Sequence, residues 1–158
     1  MKTNRQSLKE RAQGIMDELK EKEREIGRLK DKLSANIADE ILSSTKDIDG
    51  VKLIVYTAPE MDMNSLRTLG DELKARLHSG VVVLATAADE KISLVAMATK
   101  DVTEKGIHAG NIVKAVAAAT GGSGGGRPEM AQAGGKDVSK LKEAMESVED
   151  LVREQLKG

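Results

Sequence analysis

Val81-Val82-Val83-Leu84-Ala85-Thr86-Ala87-Ala88 is a run of eight residues without a charge. A segment of this length, rich in β-branched and aliphatic side chains, suits a strand buried on both faces, with layers of structure above and below it. Asp89-Glu90 follows as a polar turn, and Ile92-Ser93-Leu94-Val95-Ala96-Met97-Ala98-Thr99 reads as a second strand returning beside the first. Upstream, Leu66, Leu69, Leu73 and Leu77 recur at helical spacing. They predict an amphipathic helix capped near Asp62 and stopped by Gly80. Before that helix, Asp49-Gly50 is a hairpin signal that turns a short strand from Thr45 into a second over residues 51–57. Downstream, a helix is expected over residues 109–120, and Leu141, Met145, Val148, Leu151 and Val152 mark a last amphipathic helix.

The first forty residues follow another rhythm. Leu8, Ala12, Ile15, Leu19, Ile26, Leu29 and Leu33 recur in alternating steps of four and three, interrupted at Lys22, among dense Glu, Lys and Arg. This is a coiled-coil seam on a helix whose stretch from Leu8 to Leu33 is about 39 Å long. Gly14 and Gly27 each weaken it by about 1 kcal/mol relative to alanine, so a partner helix is expected, from another copy or from a preceding segment of a longer chain. The reading is an α/β (α+β) protein. A coiled-coil and dimerisation arm spans residues 1–43, and a mixed-sheet domain with packed helices and a glycine-rich loop spans residues 44–158.

Composition narrows the chemistry. Apolar residues make up 39% of the 158 and aromatics 1%, Tyr56 being the sole ring. Surfaces that stack single-stranded bases usually carry several rings, so that mechanism is excluded. The 25 basic and 26 acidic residues give a net charge of -1, so any phosphate contact must be local. The absence of cysteine excludes disulfides and thiolate chemistry. With a polar, charged beginning and no apolar span, the expectation is a soluble cytoplasmic protein without membrane contact.

Glycines crowd residues 121–135 around Arg127, Pro128 and Gln132. Without Cβ atoms such backbone admits close approach by another molecule, at an entropic cost. Gly121 and Gly126 have the spacing of a phosphate-binding loop. The chemistry fails, because Arg127 and Pro128 stand where Lys and Ser or Thr are needed and the block follows a helix, not a strand. A mobile linker fits the glycine content alone. The embedded Arg-Pro-Glu-Met-Ala-Gln argues instead for a site that binds phosphate and sugar. Pro128 predicts an extended Arg127 and a short helix over residues 128–133 that ends at Gly134. The helix preceding the block would turn its negative end toward the glycines, leaving attraction to Arg127, Lys136 and free amides.

Gly124-Gly125-Gly126-Arg127-Pro128-Glu129-Met130-Ala131-Gln132-Ala133-Gly134-Gly135 resembles the signature of the C-terminal domain of bacterial alanyl-tRNA synthetases. Ile107-His108-Ala109-Gly110 and Val51-Lys52-Leu53-Ile54-Val55 extend the likeness over the globular part, and Ser123 and Glu129 depart slightly from the pattern. The domain type is shared with DHH-family phosphoesterases and single-strand exonucleases, whose glycine motif typically carries a His after paired glycines. The resemblance implies a module that docks on the tRNA elbow and helps aminoacylation and editing reach the same tRNA. The rival it leaves is a substrate-holding, single-stranded nucleic-acid-binding domain of a DHH exonuclease. RNA-binding candidates are Gly124, Gly125, Gly126, Arg127, Gln132, Gly134, Gly135 and Lys136, with Arg127 and Lys136 reaching phosphates. ATP, magnesium and zinc are implied only for other domains of such an enzyme, and no cofactor is expected in this chain.

Catalysis here has little support. His78 and His108 lack metal-ligand spacing, the carboxylates are scattered, and no nucleophile stands beside a base, so neither catalytic nor metal-binding residues are expected. Lys52, Arg67, Lys74, Lys100, Lys105 and Lys114 lie outside the glycine loop and could extend the contact surface, but each reads first as a plain surface charge. Tyr56 is expected to be buried. On this reading Arg127→Ala weakens RNA binding more than Lys74→Ala.

Overall fold

A computed structural model describes the backbone of residues 2–157, and their side chains apart from residues 2–6, 30, 31 and 33–35. Strand β3, Val81–Ala88, lies inside a six-stranded sheet of order β1-β2-β3-β4-β6-β5. It pairs in parallel with β2, Val51–Ala58, and antiparallel with β4, Lys91–Ala98. Six of its eight residues are buried, as the uninterrupted apolar run requires. Asp89 and Glu90 both take positive φ, 48° and 63°, the backbone that matches a two-residue turn to the twist of its strands. Asp49 and Gly50 do the same between β1, Lys46–Ile48, and β2.

Helices cover both faces. Helix α2, Met63–Leu77, links β2 to β3 and buries Leu66, Leu69, Leu73 and Leu77 over β3 and β4. Each buried leucine contributes about 2 kcal/mol. Gly70 brings this helix close, because a Cβ there would lie 3.0 Å from the Met97 methyl. On the other face, Val81, Val83, Leu94 and Ala96 share a core with Ile112, Val113 and Val116 of α4, Ala109–Ala119. Leu141 and Met145 of α5, Leu141–Glu146, and Val148 and Val152 of α6, Val148–Lys157, extend that core. The expected last helix is thus two helices, with a break at Ser147. A short helix α3, Lys100–Glu104, leads from β4 toward α4.

The glycine block is a further difference. It forms a hairpin of β5, Ser123–Gly126, and β6, Met130–Gly135, with β6 paired to β4 from Met97↔Met130 to Ile92↔Gly135. The helix expected over residues 128–133 is therefore a turn and a strand. Six residues nucleate a helix poorly, whereas the open side of β4 offers a complete ladder. Pro128 occupies the turn, where its fixed φ is equally at home. The Arg127 amide donates to the Met130 carbonyl at 2.9 Å, and the Met130 amide returns the bond at 3.3 Å.

Helix α1 spans Lys2–Ser43. The chain divides into compact units of residues 1–37 and 38–158. In the first, Leu8, Ile15, Leu19, Ile26 and Leu29 are between 51% and 65% exposed, so the stripe has no cover among the described residues of its own unit. The place of Leu33 in the seam lies outside the described side chains. In the second, Ala38 and Ile41 are buried, and the Asp39 carboxylate pairs with Arg76 of α2. Tyr56 is half-buried on β2, short of the expected burial.

Candidate nucleic-acid interface

Alternation along β6 gives the hairpin two unlike faces. Ala131, Ala133 and Gly135 are buried, while Met130, Gln132 and Gly134 are half-exposed. The buried face of β6 lies against α4, and glycines of both strands are steric requirements, although β5 itself is exposed. A Cβ on Gly124 would overlap that of Ala133, one on Gly126 would fall 2.7 Å from the Ala131 Cα, and one on Gly135 would overlap the Thr120 hydroxyl. From the helix side, a Cβ on Gly110 would fall 2.7 Å from the Gly126 carbonyl oxygen. Gly125 differs, since a Cβ there meets nothing within 4 Å. Gly134 meets only the Ile92 carbonyl oxygen, at 3.5 Å.

The open face continues into a groove of about 480 Å³ lined by Gly125, Gly126, Arg127, Glu129, Met130 and Gln132, with Arg67 and Lys74 of α2 on its opposite side. Gly125 and Gln132 are direct partners in the ladder, so the amide side chain stands beside bare backbone. Among the described residues, Arg67, Lys74 and Arg127 enter none of the ion pairs, whereas Arg76 binds both Asp39 and Glu72 and Lys46 binds Glu149. Lys74 is thus no remote surface charge, which removes the reason for ranking it below Arg127. The sequence offered Arg67 and Lys74 only among six basic residues that could extend the contact surface, without separating them from the other four. Their signal was a separation of seven residues, which places both on one flank of α2 beside the Leu66 and Leu73 stripe.

The proposed RNA-binding residues do not form one cluster. Gly125, Gly126, Arg127 and Gln132 line this groove, whereas Gly134, Gly135 and Lys136 line another, of about 630 Å³, with Asp89, Glu90 and Lys91. The separation is about 17 Å along β6. Gly124 is in neither lining. The two ends also meet opposite ends of α4. At the Arg127 end, the Ala109 amide donates to the Pro128 carbonyl at 3.0 Å, so this tip lies at the positive end of the helix. At the other end, the Lys136 and Asp137 amides each donate to the Thr120 carbonyl at 2.9 Å, capping the negative end. The expected repulsion of anions therefore belongs to the Lys136 end alone.

Residues 50–154 match the family model described as the DHHA1 domain. The chain belongs to the DHHA1 domain family. It is 48% identical over 99% of its length to an alanine–tRNA ligase of Natranaerobius thermophilus, and spans 18% of that relative. Its structure resembles the C-Ala domain of Aquifex aeolicus alanyl-tRNA synthetase, with a TM-score of 0.64 and 28% identity, covering 69% of this chain and 97% of that one. The DHH domain of a member of a ribosomal protein family shares the fold at 16% identity and a TM-score of 0.51, covering 79% of this chain and 31% of that one. The chain is therefore a C-Ala region of the alanine–tRNA ligase type.

Other features of this DHHA1 domain have structural roles. The His108 Nδ1 accepts from the Asn111 amide at 3.2 Å and caps α4. Asp101 accepts from the Ser79 and Thr99 hydroxyls, and these bonds lower its pKa. Among the described residues, no group of three or more His, Cys, Asp or Glu could hold a metal ion, and no helix is long and apolar enough to cross a membrane. A groove of about 670 Å³ beside β2 and α5 is lined by Val55, Val138, Leu141 and Met145, and its Lys46 is already paired with Glu149.

Proposed function

We propose that this domain binds the folded corner of tRNA through the open face of the β5–β6 hairpin. The observation that carries the reading is Gly125, a glycine that no packing requires, set beside Gln132 and Arg127 on an open floor. A flat surface without side chains suits the exposed face of a base pair, with Arg127 contacting phosphate. Tyr56 does not line the groove, so base stacking on a ring has no support there. In a whole ligase the domain would help aminoacylation and editing act on one tRNA, and residues 1–43 would associate with a second copy through the exposed leucine stripe. ATP, magnesium and zinc would belong to other domains.

Fluorescence anisotropy with alanine tRNA, an unrelated tRNA and single-stranded DNA of similar length, at two salt concentrations, tests the reading. Tighter binding of both tRNAs than of DNA is expected. Preference for the DNA would transfer the domain to the nuclease-type alternative. Sedimentation tests the arm, for which a strict monomer at high concentration would be decisive against association.

A further inference from the structure

Helix α2 carries a second half of the interface. Its leucine stripe fixes its rotation, and Gly70 fixes its height above β4, so the flank bearing Arg67 and Lys74 borders the open floor of β6 and β5. The two cations are seven residues apart, which is two helical turns and about 10.5 Å. Neither is engaged in an ion pair among the described residues, although Arg76 on the same helix holds two carboxylates. The acid lining the groove is Glu129, on the hairpin side beside Arg127, so the α2 side of the lining carries cations without a carboxylate.

We propose that Arg67 and Lys74 form a rail for an RNA backbone, each contacting a phosphate of one strand, while the Gly125 and Gln132 floor meets the base-pair face that this strand flanks. The inference rests on the tRNA-binding reading and adds a wall to it. Two unlike walls select a folded RNA whose backbone continues past a flat base-pair face. With a net charge of -1, the chain has no general field to replace these contacts.

The test is a salt titration of tRNA binding by the full 158-residue chain, its R67Q/K74Q variant and a K105Q/K114Q variant of equal charge change. Lys105 and Lys114 are exposed and outside the groove. R67Q/K74Q should weaken binding about tenfold at low salt and make the log–log salt slope shallower by about 1.5 to 2, with unchanged circular dichroism. K105Q/K114Q should leave the slope as it was. Equal changes in both variants, or an unchanged slope in R67Q/K74Q while the parent chain binds tRNA, would overturn the rail alone. Failure of the parent chain to bind tRNA at low salt would overturn the reading beneath it as well.

Discussion

The two faces of the β5–β6 hairpin are built from the same small residues for opposite reasons. Toward α4, glycine lets helix and hairpin approach until a single added carbon would meet the other element, as at Gly110 against the Gly126 carbonyl and at Gly135 against Thr120, while Gly124 and Gly126 let β5 close on the alanines of β6. Away from α4, Gly125 has open space above it, and Gln132 and Arg127 stand at its sides. Glycine content alone therefore does not identify a binding surface. What separates packing from function is the clearance above each glycine, and that depends on the strand register.

The largest expected effect breaks the packed face. Gly124→Ala should destabilise the domain by about 3 kcal/mol, because backbone and the Ala133 methyl must move together to admit the carbon. Chemical denaturation measures it, and a loss under about 0.5 kcal/mol would mean that β5 does not close on β6 in the register described. On the open face the signature reverses. Gly125→Val should leave stability within about 0.5 kcal/mol, since a β-branched residue suits a strand, while tRNA affinity falls about tenfold. Normal affinity in a well-folded Gly125→Val would remove the floor from the binding site. Arg127→Ala should weaken binding about fivefold and reduce its salt dependence, whereas Lys136→Ala should do less of both. Equal losses would merge the two ends that the structure separates by the length of β6.

The parts of the fold legible in the sequence were those where burial leaves a pattern. Val81–Ala88 reads as a doubly covered strand because its run is apolar without interruption by charge, and Asp49-Gly50 and Asp89-Glu90 mark turns whose φ few residues tolerate. The hairpin was not legible. Ser123–Gly126 has no side-chain pattern to read, and Met130–Gly135 lacks the β-branched residues typical of strands, its inward residues being Ala131, Ala133 and Gly135, the last with the Thr120 hydroxyl where a Cβ would stand. Arg127 and Gln132, which the glycine block singled out, do line one groove. The participation of Arg67 and Lys74 depended on a sheet order in which β6 lies beside β4, a long-range fact that no local spacing contains.

The smallest effect concerns how the packed face is held in place. Helix α3 precedes α4, and its first turn is tied down by Asp101, which accepts from Ser79 at the entrance of β3 and from Thr99 at the end of β4. These bonds favour the carboxylate, so its pKa in the folded chain lies below the ordinary value of 3.8. A carboxylate whose folded pKa is depressed adds stability above the unfolded pKa, and that contribution disappears as pH falls through the folded value. The wild type should therefore exceed Asp101→Asn in melting temperature near neutral pH, with the gap closing as pH drops below about 4. The open face contains no such tie, so tRNA affinity above about pH 5 should be the same in both proteins. A gap in melting temperature that persists undiminished in acid would assign the effect to altered packing, and a loss of affinity in Asp101→Asn would show that the packed and open faces are not independent.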